Sequence, residues 1–182
     1  MLQNWTMHLR GALLFTVAIV ATACKTGDLG VPCIPEEEYL TDFSSFSEAE
    51  VSTESRSYQC ESRLCLVNHF RGRVTCPYGQ KADGSGGCTL PGSSTRVSVA
   101  VDPQLQNRRA ADAVYCSCRC NGPDSNARYC ECPSGFACEE LAPGVGANNK
   151  QLVGSYCVME GTTYTPGQSG PNCDATLNNC PN

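Results

Sequence analysis

YCSCRC-NGPDSNAR-YCECPSGFAC, residues 115–138, carries six of the 15 cysteines in this 182-residue chain. Cys116, Cys118 and Cys120 occupy alternate positions, so in an extended chain their sulfurs would share one face. Such near neighbours bridge each other poorly, because a disulfide needs Cα atoms roughly 4.4–6.8 Å apart and converging Cβ bonds. We therefore expect all three to pair outward, with the second cluster or with more distant cysteines. The turn-forming residues 121–126 predict a loop, and hence two short strands joined by that loop and locked by sulfur.

The composition predicts a small disulfide-rich, mainly β fold with short strands and hairpins, long loops and little helix. Cysteine makes up about 8 % of the chain, the level at which a disulfide scaffold becomes the usual explanation. Five Phe and one Trp give few large core side chains, so covalent cross-links are needed to stabilise the fold. The net charge of −5 makes nucleic acid an unfavourable partner.

The N-terminus has the pattern of an export signal. Residues 11–23 are almost all apolar, and a run of 13 is too short to span a bilayer, which takes about 17–25 residues. The following Ala21-Thr22-Ala23-Cys24 resembles the lipobox of bacterial lipoproteins, which implies that residues 1–23 are removed and that Cys24 carries acyl chains such as palmitate. An ordinary signal cut after Ala23, leaving a secreted protein, is the alternative.

Lipidation of Cys24 also resolves the odd cysteine count, because it leaves fourteen cysteines for seven disulfides. Lys25 does not match the Asp that retains enteric lipoproteins at the inner membrane. The resemblance therefore implies a lipid-anchored protein of the cell envelope, at the outer membrane or cell surface. The cysteines expected to form disulfides are Cys33, Cys60, Cys65, Cys76, Cys88, Cys116, Cys118, Cys120, Cys130, Cys132, Cys138, Cys157, Cys173 and Cys180.

Composition divides the mature chain into three parts. Residues 24–58 are acidic and serine-rich and predict a solvated tether, pinned to the body at Cys33 and through docking of Phe43 and Phe46. Residues 59–158 contain most of the cysteines and predict the folded domain. Residues 159–182 form a polar tail, in which Cys173 and Cys180 are close enough to close a small loop.

Short apolar runs predict the strands of the folded domain. Residues 64–67 predict a buried strand, paired in a hairpin with residues 73–75. The alternation in residues 97–101 (VSVAV) predicts a second strand, and residues 152–158 predict a third. Residues 104–113 form either a short helix or a loop.

Catalytic and metal-binding patterns are weak. His69 is the one histidine outside the signal, but it lies in a predicted turn without a serine or carboxylate at a suggestive spacing, so we expect a hydrogen-bonded turn histidine and no enzyme. The chain has no Cys-x-x-Cys, P-loop, dinucleotide or metalloprotease motif, and no cofactor is expected. A zinc or copper cluster is the alternative use of Cys-x-Cys pairs, but an oxidising compartment favours disulfides.

Two family resemblances bear on function. Residues 130–138 (CECPSGFAC) resemble the C-terminal half of an EGF-like module, which implies a Cys132–Cys138 disulfide and a role in adhesion or spacing. The segments 59–69, 115–120 and 154–158 resemble cysteine-rich myxobacterial lipoproteins of unknown function, which implies an envelope location.

We therefore expect a non-catalytic binding or structural module, held at the membrane by its lipid, with an envelope or extracellular protein or glycan as partner. A secreted module that inhibits proteases through the disulfide-flanked loop Asn121–Arg128 is the main alternative. An adhesion module and a metal-binding cysteine cluster are the others.

Overall fold

The chain folds into two small antiparallel sheets of three strands each, as a computed structural model of residues 27–142, 153–165, 167 and 170–181 describes it. The prediction of a small disulfide-rich, mainly β protein is confirmed. A one-turn 3-10 helix at Glu36–Tyr39 precedes the strands. The remaining elements are β1 (Val51–Glu54), β2 (Cys65–Asn68), α1 (Ala110–Ala113), β3 (Val114–Cys116), β4 (Arg119–Asn121), β5 (Phe136–Ala142) and β6 (Gly154–Met159).

The first sheet has the order β1-β2-β3 and contains the main core. All four residues of β2 are buried, which confirms the buried strand predicted at residues 64–67. Two disulfides close this sheet, Cys33–Cys65 and Cys60–Cys116, and their cysteines are at most 2 % exposed. These two buried disulfides thus occupy core volume that large apolar side chains occupy in other proteins.

The second sheet has the order β4-β6-β5 and is cross-linked more densely. Its three disulfides are Cys118–Cys130, Cys120–Cys138 and Cys132–Cys157. β6 pairs with both neighbours, which confirms the strand predicted near residues 152–158.

The two sheets share a short connection. Ser117 lies between β3 and β4, and its Oγ donates a 2.7 Å hydrogen bond to the Cys157 carbonyl in β6. The backbone N–H of Met159 donates to the Tyr115 hydroxyl at 3.0 Å. These contacts tie the end of the first sheet to the central strand of the second.

This connection corrects the interpretation of the first cysteine cluster. The chain does not run as one strand with three sulfurs on one face, because β3 ends at Cys116 and β4 begins at Arg119. The expected outward pairing is confirmed, since none of the three cysteines bonds another of the three. The pairing implied by the EGF resemblance is wrong: Cys132 bonds Cys157, and Cys138 bonds Cys120. Cys132 thus bonds a cysteine of the central strand β6, and Cys138 bonds one of β4, so both disulfides join segments that are distant in sequence.

The predicted tether is wrong for residues 27–58. β1 pairs along its full length with β2, and Phe46 forms a bridge with Gly72. Glu38, within the acidic run, is fully buried, and the rings of Phe43 and Phe46 pack 4.8 Å apart beside the main core. The segment is acidic overall, but Cys33, Glu38 and Phe46 are buried and attach it to the body of the fold.

Two further strand predictions are wrong. β2 pairs with β1 and β3 and makes no hairpin with residues 73–75, because Glu38 occupies the backbone N–H groups there. Residues 97–101 form no strand: Val97 and Val101 are buried as the alternation indicates, but only isolated bridges flank them. These valines cover the Cys76–Cys88 disulfide in a second, small core.

The sequence-based expectations for the C-terminal loop and for residues 104–113 agree with the structure. Cys173 and Cys180 bond each other, which confirms the small terminal loop. The region 104–113 is mostly loop and ends in the four-residue helix α1.

Candidate functional site

A groove of about 510 Å³ lies where the loop before β2 meets the start of β4. The first sheet contributes the loop residues 61–64, and the second sheet contributes Arg119 and the Cys118–Cys130 disulfide. We call it the arginine groove, after the three cationic residues in its lining, Arg63, Arg119 and Arg128.

Arg63 is held in an uncommon conformation. Its φ of 64° lies in the left-handed region, which is unfavourable for a side chain of this size. Backbone hydrogen bonds hold it there: its N–H donates to the Cys60 carbonyl at 2.9 Å, and its carbonyl accepts from the Ser57 N–H at 3.1 Å. The guanidinium lies 4.3 Å from the centre of the Tyr58 ring, which is 89 % exposed. Non-glycine residues in this region are concentrated at functional sites.

Arg119 is positioned by the second sheet. It pairs with Tyr156 of β6, and its carbonyl accepts a 3.1 Å hydrogen bond from the Cys130 N–H. Its guanidinium lies 5.2 Å from the Tyr129 ring centre. Stacking on an aromatic face restrains a guanidinium and leaves its positive charge in place.

The charge of the groove is opposite to that of the whole chain. Among the residues that the structure describes, neither Arg63 nor Arg128 belongs to an ion pair; the pairs found there involve Arg71 and Arg109. Glu61 is the one carboxylate in the lining. A cavity lined by three arginines and one glutamate, in a protein of net charge −5, is suited to an anionic group.

The other cavities lack this arrangement. A cleft of about 630 Å³ beside residues 89–94 has an uncharged lining. A smaller one, about 350 Å³, is lined by Glu36, Glu37 and Glu54 together with Arg56. Among the four cavities compared in the described part of the chain, the arginine groove alone combines several cations with a disulfide wall.

His69 lies outside this groove. Its backbone φ is 52°, its Nδ1 lies 2.9 Å from the Glu48 carbonyl, and its ring stacks on Tyr164 with centroids 4.5 Å apart. Arg108 donates to the carbonyls of Asn68 and His69, and burial lowers the pKa of this guanidinium. These are the contacts of the hydrogen-bonded turn histidine that the sequence predicted.

The fourteen cysteines expected to pair form seven disulfides. In three places, three cysteine sulfurs lie within 4.8 Å of one another, as a metal site would require. In each place, however, the three sulfurs belong to neighbouring disulfides. Metal ligation needs thiolates, so these sulfurs would have to be reduced before they could bind zinc. Cys24 lies outside the described residues.

No motif or spacing in the sequence indicated the arginine groove. Its three arginines are spread over residues 63–128, and one of them, Arg119, lies between two cysteines that attract attention for another reason. The loop Asn121–Arg128, considered above as an inhibitory loop, folds on itself through Asp124 and supplies Arg128 to the groove.

No family model, curated protein or solved structure matches this chain. Within the described residues, no helix is both long and apolar enough to cross a bilayer.

Proposed function

We propose that this protein is a cell-envelope lipoprotein, anchored through acyl chains on Cys24, whose folded body binds an anionic envelope component without catalysis. The observation that carries the binding role is the arginine groove. Three arginine residues contribute to the lining of one cavity, and the guanidiniums of two of them lie over aromatic rings. Guanidinium groups bind carboxylates and phosphates through paired hydrogen bonds, which suits this arrangement to such groups.

The position of the groove supports a ligand at the membrane surface. Leu29 lies in its lining, only five residues after Cys24. An extended chain covers at most about 3.6 Å per residue, so a lipid anchor on Cys24 would hold this wall within roughly 18 Å of the acylated sulfur. Lipid headgroups and their attached glycans carry phosphates and carboxylates at that distance from the bilayer.

The sulfur chemistry supports export. Every described cysteine is in a disulfide, and such dense pairing is typical of oxidising compartments. The apolar N-terminal segment, the lipobox and the resemblance to myxobacterial lipoproteins support the envelope location. Two acyl chains hold a protein stably in a bilayer, whereas one gives only marginal binding.

The binding role is tested with the mature protein in a neutral detergent. Isothermal titration calorimetry measures the affinity for oligogalacturonate, a carboxylate probe, and for pyrophosphate, a phosphate probe. The double variant R63Q/R128Q should weaken binding by about a hundredfold, roughly tenfold for each lost charge-assisted contact.

The matched control is K81Q/R96Q, which removes the same charge from exposed residues outside the groove. Equal losses in the two double variants would mean that net charge alone attracts the probe. Absence of binding to both probes in the unaltered protein would contradict the role.

The anchor is tested independently by mass spectrometry of the native protein. An acylated Cys24 as the first residue supports the lipoprotein assignment. A free Cys24 thiol, or a chain that retains residues 1–23, contradicts it.

A further inference from the structure

Three disulfides of the second sheet lie in series, close enough for their sulfurs to touch. The Sγ of Cys157 lies 3.6 Å from that of Cys118 and 3.7 Å from that of Cys130. On the far side, the sulfurs of Cys120, Cys132 and Cys138 lie within 4.8 Å of one another. We call this series the sulfur ladder; its steps are Cys118–Cys130, Cys132–Cys157 and Cys120–Cys138.

The two ends of the ladder differ in their surroundings. The first step, Cys118–Cys130, contributes two half-buried cysteines to the lining of the arginine groove. The last step ends at Cys138, which is exposed on β5. By contrast, the cysteines of the other disulfides before β4 are at most 7 % exposed: Cys33, Cys60, Cys65, Cys76, Cys88 and Cys116.

We propose that Cys118–Cys130 is a thiol-exchange site, at which an anionic thiol entering the arginine groove forms a mixed disulfide and starts an exchange along the sulfur ladder. The proposal uses the groove but does not depend on acylation of Cys24. It gives the groove a covalent chemistry beyond reversible anion binding.

Each step exchanges one sulfur–sulfur bond for another. The external thiolate attacks the Sγ of Cys130, the Cys118–Cys130 bond breaks, and Cys118 leaves as a thiolate. That thiolate then attacks Cys157, which forms Cys118–Cys157 and releases Cys132 as a thiolate. Attack on Cys118 gives the equivalent result through Cys130, which is almost as close to Cys157.

The third exchange carries the thiol to the surface. Cys132 attacks Cys120, the Cys120–Cys138 bond breaks, and Cys138 leaves as an exposed thiolate. One external thiol is consumed, one protein thiol is released, and the number of disulfide bonds does not change. No oxidant or reductant other than the external thiol is required.

The arginines favour the first step in two ways. Their positive charge stabilises the leaving thiolate, and a more stable thiolate leaves faster. The same charge concentrates an anionic thiol in the groove, although Glu61 opposes this in part. The Cys173–Cys180 disulfide provides an internal comparison, because it closes a surface loop but belongs to none of the sulfur groups.

The test uses the mature, fully oxidised protein with less than one equivalent of glutathione, a thiol with net negative charge. The reaction is stopped with acid, free thiols are alkylated, and peptide mapping locates each adduct and linkage. Glutathione should be found on Cys130 or Cys118, together with a new linkage to Cys157 and an alkylated thiol at Cys132, Cys120 or Cys138. The neutral thiol 2-mercaptoethanol at equal thiolate concentration should react several-fold more slowly at this site.

Two comparisons make the result specific. R128Q should slow adduct formation by about threefold, as expected if one arginine lowers the pKa of the leaving thiol by roughly one unit, whereas R96Q, at an exposed site, should not. In C132S/C157S the middle step is missing, so the released thiol should stay at Cys118 or Cys130. If that variant does not fold, the presence or absence of a linkage from Cys118 or Cys130 to Cys157 in the unaltered protein shows whether the exchange passes along the ladder.

Four outcomes would overturn the proposal. One is first reaction at Cys173–Cys180, and another is an equal spread of adducts over all disulfides. The third is an adduct at Cys118 or Cys130 without any linkage to Cys157, which would show that the exchange does not continue along the sulfur ladder. Binding of pyrophosphate without any glutathione adduct would refute the exchange site and leave the anion-binding role intact.

Discussion

Replacing the buried Glu38 with glutamine should destabilise the fold more than any similar change on the surface of the same 3-10 helix. Glu38 is fully buried, and its carboxylate accepts three hydrogen bonds from residues 74 and 75. The donors are the Val74 N–H at 2.6 Å, the Thr75 N–H at 3.1 Å and the Thr75 hydroxyl at 2.6 Å. The Arg73 guanidinium donates in turn to the backbone carbonyls of Glu38 and Phe43.

The magnitude follows from this donor set. A glutamine has one acceptor oxygen where Glu38 has two, so its NH₂ group must face either the Val74 or the Thr75 N–H. A buried backbone N–H left without an acceptor costs about 1–3 kcal/mol. For a chain of this length, a loss of about 2 kcal/mol lowers the Tm by roughly 6 °C.

The assay is thermal and urea unfolding of oxidised protein at pH 5, followed by circular dichroism. E36Q is the matched control, because Glu36 is exposed on the same helix and the substitution is the same. If E38Q and E36Q unfold within about 0.5 kcal/mol of each other, the buried network does not contribute the energy that its geometry indicates.

Three other predictions test the energetics of the fold. Burial raises the pKa of Glu38 above its ordinary value of 4.5. The protonated side chain therefore contributes its full stabilisation of the folded state below pH 4.5, and this stabilisation is lost as the pH rises through the raised pKa. The difference in unfolding free energy between the native protein and E38Q should therefore narrow from acid to neutral pH, and a difference that widens in urea titrations would contradict this sign. C60A/C116A opens a loop with a sequence separation of 56 and should cost about 4 kcal/mol, against about 2.5 kcal/mol for C173A/C180A with a separation of 7; equal losses in denaturant titrations would refute the chain-entropy account. Strong reductant should unfold the domain at moderate temperature, and a native circular dichroism spectrum in reductant would show that the apolar core suffices.

Local patterns in the sequence were reliable where local forces decide the structure. The continuous apolar run at residues 64–67 became the buried strand β2, and the run ending at Val158 became β6. The short spacing of Cys173 and Cys180 was enough to predict their bond. In each case, burial or loop closure over a few residues determines the outcome.

The same reasoning failed where a distant partner competes. The alternating valines at 97–101 have strand character, but no neighbouring strand provides a ladder, and they cover a disulfide instead. The acidic segment before residue 58 has the composition of a spacer. Its fold depends on Cys33, Glu38 and Phe46, three residues whose partners lie at least 26 positions away.

The sequence by itself determined the fold class of this protein: 15 cysteines and few large apolar residues predict a small, sulfur-stabilised β fold. Tertiary structure alone decided which cysteines pair, which acid is buried and that three dispersed arginines share one groove. The physical reason is that composition and short-range periodicity act along the chain. The pairing of cysteines and the grouping of arginines depend on distances in space. Those distances are set only when the strands assemble into the two sheets.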